Sequence, residues 1–380
     1  MDFKFSKEQR DIIRAARKFA QGEFPDRAYE FDQNETFDPE LLQSACEMGF
    51  VGVFIDEAYG GAGMGFLEHA LICEEFWAVD PGIAMSILSA SFGSELIQLF
   101  GSEDQKQEIL PKIVSGQTII GTAITEPDAG SDVTGARTTA RLENGQWVVN
   151  GAKMFITNGT VGDLILVFCK TEPEEASRHK QFSFIVVPTD ADGYEARKIK
   201  GKMGIRASDT AELTLTDVRV PEENLIGNRG QGFYELMEFF NRTRPHVAAQ
   251  GLGLTRAFLE ESINHVKNRQ MFGRRLADFQ ATQMKIAEMA TKLRAARNLT
   301  YEGAWLLDSG KVDHALIAMS KWFAGQVAVQ CADEALQLFG GYGYIEEQRV
   351  NRLYRAAKII EIYEGAKEVE KMIIAKSLLS

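Results

Sequence analysis

A chain of 380 residues is too long for one hydrophobic core, so two or three domains are expected. Hydrophobic residues make up 45% and charged residues 25%, the balance of an ordinary globular protein, while a net charge of −12 argues against nucleic acid as a partner. No unbroken apolar run reaches the roughly 18 residues of a membrane span, the N-terminus "MDFKFSKEQRD" has no apolar signal core, and Cys46, Cys73, Cys169 and Cys331 lack CxxC spacing; no membrane span, no secretory signal, a reducing compartment and no metal site are the expectations.

The first elements are helical. "FSKEQRDIIRAARKFA" opens with a Ser6-x-x-Gln9 capping box and carries Ile12, Ile13, Ala16 and Phe19 at helical spacing. "FDPELLQSACEMGF" supplies Asp38 as N-cap, Pro39 at the first helical position and Gly49 at the end, and "GSEDQKQEILPKIVSG" repeats the capping box with Ser102 and Gln105. Near residue 120 the period changes. "TTARLENGQWVVNGAKMFITN" alternates around Asn144-Gly145, a hairpin signal, and "DLILVFCK", "FSFIVVP" and "AELTLTDVRV" are short β-rich runs. The basic stretch "RKIKGK" (197–202) reads as a solvated loop. Helical periodicity returns at "GFYELMEFF", with long spans near 231–267, 280–308 and 313–338 that suit bundle helices. The expected fold is α+β and multidomain: an N-terminal α-helical domain (1–119), a middle antiparallel β domain (120–229) and a C-terminal domain like a four-helix bundle (230–380).

Five stretches could carry chemistry. "AITEPDAGSD" (123–132) is rich in small and hydroxyl residues, so backbone N–H groups could approach a large polar ligand; a tight connector is the plainer reading. "FITNG" (155–159) offers an aromatic, a hydroxyl and a turn, although a lone Phe155 is ordinarily core. "NRQMFGRRLADFQ" (268–280) carries arginines suited to phosphate or simply to solvent. "QLFGGYGYIEEQRVNRLYR" (337–355) follows a helix, not a strand, so its glycines are not a Rossmann fingerprint; a helix C-cap is the alternative. "EIYEGAK" sets Glu364 beside Gly365 ahead of a helix expected to bury Val369, Met372 and Ile373; a lone carboxylate there is ordinarily a cap or dipole partner.

Together these stretches resemble the acyl-CoA dehydrogenase family over nearly the whole chain, joined by "GKMGIRASDTAELTLTDVRVP" and "NRTRP" in the family's order and spacing. The resemblance implies the acyl-CoA dehydrogenase fold and FAD held between domains and across a subunit interface of a homotetramer. Thr125 and Ser131 would contact the isoalloxazine and its ribityl-pyrophosphate chain, Phe155 would flank the flavin, and Thr157 would bond near N5. Arg269, Phe272, Gln280, Gln337, Gly340 and Gly341 would reach the FAD of the neighbouring subunit, and Ala366 and Glu368 would also lie at the cofactor. Ser131, Asn241, Arg244, Tyr363 and Gly365 would line the substrate site.

Glu364 is implied as the catalytic base. One branch of the family carries its base within the segment matching "NRTRP", where this chain has Thr243, so Glu364 is the sole matched carboxylate. It would remove the α-proton of an acyl-CoA while the β-hydride passes to flavin N5, with electrons leaving to an electron-transfer flavoprotein. Ala356, Ala366, Asn241 and His246 depart from common members, and the last two bear on substrate contacts. Short- or medium-chain, branched or alicyclic thioesters such as cyclohexanecarboxyl-CoA are the expected substrates, with "SILSASFGSELI" (86–97) as one wall of the acyl pocket. An acyl-CoA oxidase and a non-catalytic scaffold paralogue are the alternatives; the expected compartment is the cytoplasm, or the mitochondrial matrix for a mature imported form.

Overall fold

The computed structural model describes residues 4–379. Its first helices are α1 (Lys7–Glu23), α2 (Pro25–Asn34), α3 (Pro39–Glu47), α4 (Phe66–Trp77), α5 (Pro81–Leu88), α6 (Ser94–Phe100) and α7 (Glu103–Val114). The expected caps form. Gln9 N donates to Ser6 Oγ and Gln105 N to Ser102 Oγ at 3.0 and 3.2 Å, while Asp38 Oδ1 accepts from Glu40 N and Leu41 N. α4 and α5 lie at the centre, buried on nearly every side, which is why their sequences are not amphipathic. The stretch Pro81–Phe100 has the length and apolarity of a membrane-crossing helix, yet it is mostly buried inside the fold and breaks at Gly93 (φ 117°) into α5 and α6.

Eight strands follow: β1 (Ile120–Ala123), β2 (Thr139–Glu143), β3 (Gln146–Thr157), β4 (Leu164–Lys170), β5 (Phe182–Pro188), β6 (Tyr194–Lys198), β7 (Thr210–Pro221) and β8 (Leu225–Ile226). They form one sheet in the order β6-β7-β3-β2-β4-β5-β8, with β1 paired to β4. Asn144 and Gly145 have φ of 52° and 76° and close the β2–β3 hairpin between Glu143 and Gln146, as the sequence predicts. The sheet is antiparallel except that β1 runs parallel to β4, Ile120 facing Leu164, and β2 touches β4 in parallel at one position. The β2–β3 hairpin lies within the β1–β4 connection and makes it long enough for a parallel crossover. Side chains of β4 alternate between two cores. Ile165, Val167 and Cys169 join the sheet's own cluster, whereas Leu166 and Phe168 join the large cluster shared with the helices. The basic stretch 197–202 is not the plain solvated loop expected: Lys198 lies at the end of edge strand β6 with Nζ on Glu35 O at 2.6 Å, and Lys202 Nζ is tucked onto Thr210 Oγ1 at 2.8 Å.

The remainder comprises α8 (Gly232–Asn268), a small hairpin of β9 (Gln270–Met271) and β10 (Arg274–Arg275), then α9 (Gln280–Asp308), α10 (His314–Phe339), α11 (Arg349–Ala357) and α12 (Lys367–Leu379). α8 passes close to α10 at Gly251, where an added Cβ would stand 2.9 Å from Ala324 O. α12 does not bury the face its apolar spacing suggests. Met372 is 70% exposed and Glu370 is fully buried, because α12 turns Glu370 toward cationic side chains of α8 and α10.

Candidate active site

Glu364 sits in a tight turn between α11 and α12, with φ 54° at Glu364 and 109° at Gly365. The second position requires glycine for two reasons: its φ is left-handed, and an added Cβ would lie 2.0 Å from Glu370 Oε1. The turn is gripped from behind. Arg244 of α8 donates from Nε to Glu364 O at 3.3 Å and pairs with Glu370 Oε1 at 3.1 Å. Lys321 of α10, wholly buried, donates from Nζ to Gly365 O. The Glu364 carboxylate accepts from the Thr243 hydroxyl, Oε2 to Oγ1, at 2.6 Å. Burial pushes this carboxyl above the usual carboxylate range, against the opposing pull of Thr243, Arg244 and Lys321. Glu364 can therefore hold a proton more readily than a surface glutamate, which is what a base that must accept one requires.

Thr243, which replaces a possible carboxylate, thus contacts the carboxylate that remains. Tyr363 O–H meets Gln250 one turn beyond His246. His246 packs edge-on against buried His69 with ring centroids 4.1 Å apart, and burial lowers the pKa of both, His69 to about 4. Asn241 is also buried, its Oδ1 3.1 Å from His314 Nδ1. The 86–97 stretch is fixed to the sheet by Asn158, whose Nδ2 donates to Ser89 O at 2.8 Å and Ile120 O at 2.9 Å.

The predicted cofactor stretches are open to solvent. Lys153, fully buried, donates from Nζ to Ile124 O at 3.0 Å, Glu126 Oε1 at 2.9 Å and Phe168 O at 2.6 Å, which holds the loop bearing Thr125. Phe155 is not core: a register shift between Lys153 and Ile156 and a φ of 61° turn it outward, 65% exposed. Thr125 and Thr157 are half-buried and Ser131 is exposed, as is Glu368; Ala366 is half-buried beside Gly365.

At the far end of α8, Arg269, Gln337, Gly340 and Gly341 line a cleft of about 500 Å³, with nothing within 4 Å of a Cβ built on either glycine. Phe272, 87% exposed, tips the β9–β10 hairpin, and Gln280 begins α9, also exposed. The open glycines and Arg269 line a cleft with room and positive charge for the phosphate-bearing part of an extended group such as FAD, while Phe155 and Phe272 are separate exposed rings on which a flat group could stack. No cluster of three or more His, Cys, Asp or Glu side chains that could hold a metal ion occurs among the described residues.

Family models for the N-terminal, middle and C-terminal domains of acyl-CoA dehydrogenases match residues 6–117, 121–218 and 230–379. The chain belongs to the acyl-CoA dehydrogenase family. A short-chain-specific acyl-CoA dehydrogenase of Clostridium acetobutylicum is 38% identical, with 99% of each chain covered. A 3-(aryl)acrylate reductase of Clostridium sporogenes is 36% identical over 99% of this chain and 100% of its own. Among solved structures, butyryl-CoA dehydrogenase of Megasphaera elsdenii superposes with a TM-score of 0.96 at 36% identity, covering both chains fully. A chain in a study of the electron transferring flavoprotein of Acidaminococcus fermentans has the same TM-score at 38% identity and full coverage of both chains. A glutaryl-CoA dehydrogenase of Mycobacterium smegmatis in complex with FADH2 has a TM-score of 0.92 at 30% identity, covering 98% of this chain and 95% of its own. This acyl-CoA dehydrogenase family member is an oxidoreductase whose chemistry is of the acyl-CoA dehydrogenation type. Sequence reasoning named Glu364, Gly365 and Arg244 but missed Lys321 and Glu370. Their signal was faint: Lys321 is a single charge in an otherwise apolar helical stretch, and Glu370 sits in the charged run KEVEK, where it is ordinarily read as solvated.

Proposed function

We propose that the protein binds FAD and converts a short-chain, branched or alicyclic acyl-CoA thioester to its 2-enoyl-CoA, with Glu364 as the base. The observation that carries this reading is the Glu364 carboxylate itself, desolvated, oriented by the Thr243 hydroxyl and backed by two cationic side chains. FAD, when bound, supplies the acceptor for the two electrons and the hydrogen leaving the β-carbon. The protein's own part is proton transfer and positioning. The α C–H bond breaks toward Glu364 Oε, the proton stays on that oxygen, and the bonding pair moves into the forming Cα–Cβ double bond. The Glu364 N–H points to the thioester carbonyl in this reading and steadies the negative charge that grows there. Gly365 leaves room for the thioester, while Tyr363, Arg244, Asn241 and Ser131 shape the substrate site.

Thr125, Ser131, Phe155 and Thr157 would hold the flavin end of FAD, with Ala366 and Glu368 nearby. Arg269, Phe272, Gln280, Gln337, Gly340 and Gly341 would serve the FAD of a neighbouring subunit in a homotetramer, a role supported by their exposure on the single chain. An electron-transfer flavoprotein is the proposed acceptor, and the bacterial relatives support a cytoplasmic setting. The reductase name of one relative favours a second reading, in which physiological turnover runs toward the saturated thioester through the same groups.

The test is a panel of acyl-CoAs, cyclohexanecarboxyl-CoA among them, scored by bleaching of the flavin without an acceptor. Glu364→Gln should retain FAD yet lose turnover by about 10³-fold or more. Wild-type turnover in that variant would remove Glu364 from the mechanism, and O₂ consumption without added acceptor would mark an oxidase.

A further inference from the structure

Behind the Glu364–Gly365 turn lies a set of buried charges that the reaction, as described, does not use directly. Glu370 is wholly buried on the first turns of α12. Its Oε1 is 3.1 Å from Arg244 Nε, and neither carboxylate oxygen has a geometrically sound hydrogen-bond partner. The same Oε1 occupies the place where a side chain at residue 365 would begin. Arg244 reaches both carboxylate-bearing residues, through the Glu370 side chain and the Glu364 carbonyl. Lys321 closes the group from α10 by donating to Gly365 O. Around the turn, therefore, two carboxylates, Glu364 and Glu370, face two cations, Arg244 and Lys321.

We propose that Glu370 is a positioning residue for the reaction: its buried carboxylate balances Arg244 and Lys321, so that Glu364 remains a strong base instead of being held ionised by two unopposed cations.

The charge arithmetic gives this a direction. With both carboxylates ionised the group is neutral, and when Glu364 takes the substrate's α-proton the group becomes net positive. That change favours negative charge gathering on the thioester at the moment it gathers. Were residue 370 neutral, the group would be positive beforehand, and Glu364 would release its hold on a proton too readily to be an effective base. The neighbouring charges do not cancel the effect. On α6, Glu95 is buried and pushed up to about 7, chiefly by burial with a further push from Glu364. On the turn after α11, Glu361 is engaged by Lys358 and, at 3.3 Å, by Lys367. Tyr363 and Cys73 are driven upward by burial and stay neutral. Burial raises Glu370 itself against the pull of Arg244 and Lys321, and lowers Lys321 against the pull of Glu370 and Glu364, so each charge in the group depends on the others.

This inference rests on Glu364 being the base, and the experiment keeps the two apart. The readout is the pH dependence of α-deuterium loss from α-deuterated butyryl-CoA on the FAD-loaded enzyme, together with thermal stability and FAD retention. Glu364→Gln comes first; if it still exchanges the deuterium, the base assignment fails, and this inference with it. Given a silent Glu364→Gln, Glu370→Gln should move the acid limb down by about 1 pH unit, flatten it toward a single-proton slope and lower the plateau several-fold. Glu370→Asp should recover part of the shift. Lys321→Met removes a cation from the same group and should move the limb in the opposite direction, upward, which keeps the test decisive if Glu370→Gln folds poorly. An unchanged midpoint in Glu370→Gln, or shifts of the same sign in Glu370→Gln and Lys321→Met, would reduce Glu370 to a packing residue.

Discussion

Two fully buried lysines divide the molecule. Lys153, in the sheet, gives all three of its hydrogens to oxygen, and the carboxylate it meets, Glu126, also accepts from Arg137 N at 2.6 Å and Thr138 N at 3.0 Å. Burial would raise Glu126, but these partners overcome it and hold the group below its ordinary range. Lys321, in the bundle, is set among charges that are incompletely bonded: Glu370 carries orphaned oxygens, and burial raises both Glu364 and Glu370. The first arrangement is a clamp, which fixes the loop bearing Thr125. The second is poised, because groups whose charged forms are under-solvated can exchange protons at little cost. A saturated polar cluster serves stability; an unsaturated one leaves each of its charges responsive to its neighbours.

Substitutions can break or sharpen that contrast. The largest expected effect is on the clamp. Lys153→Met would leave Glu126 buried and unpaired and should cost about 3–5 kcal/mol in denaturant unfolding. A Lys153→Met variant as stable as wild type would show that the sheet pair is no clamp. Next comes the poised turn. Gly365→Ala must find room for a Cβ 2.0 Å from Glu370 Oε1 at a φ of 109°, so the Glu364 carboxylate should be displaced. Turnover should fall about 10²-fold with FAD still bound, measured by flavin reduction under single-turnover conditions. The smallest effect is that of Thr243→Val. The hydroxyl donates to the ionised carboxylate and so favours that form; without it Glu364 should be protonated more readily, and the acid limb of the rate profile should rise by less than about 1 pH unit. That shift is opposite in sign to the one expected of Glu370→Gln, so the pair of profiles reports on the poised cluster from both sides.

How far the sequence can be read differs between these regions. Helix starts at Ser6, Asp38 and Ser102 and the hairpin at Asn144-Gly145 were legible because each rests on contacts within four residues of itself. The order of helical and β-rich segments was legible from the change of period. The parallel pairing of β1 with β4 was not, because period and turn residues say nothing about which distant strand is met. Phe155 taken alone reads as core because its hydrophobicity is visible and the register shift that turns it outward is not; only the family resemblance set it at an exposed cofactor position. The same limit misplaced α12: spacing nominated Val369, Met372 and Ile373 for burial, while the attraction of Arg244 and Lys321 put Glu370 inside.

The amino-acid string alone thus determined local geometry and the three-part order, since these depend on residue type and short separations, while Glu364 was singled out as a base by the family resemblance. The tertiary structure decided what surrounds that carboxylate. Thr243, Arg244, Lys321 and Glu370 come from α8, α10 and α12, and the work a charge can do in a low-dielectric interior is set by the neighbours the fold delivers.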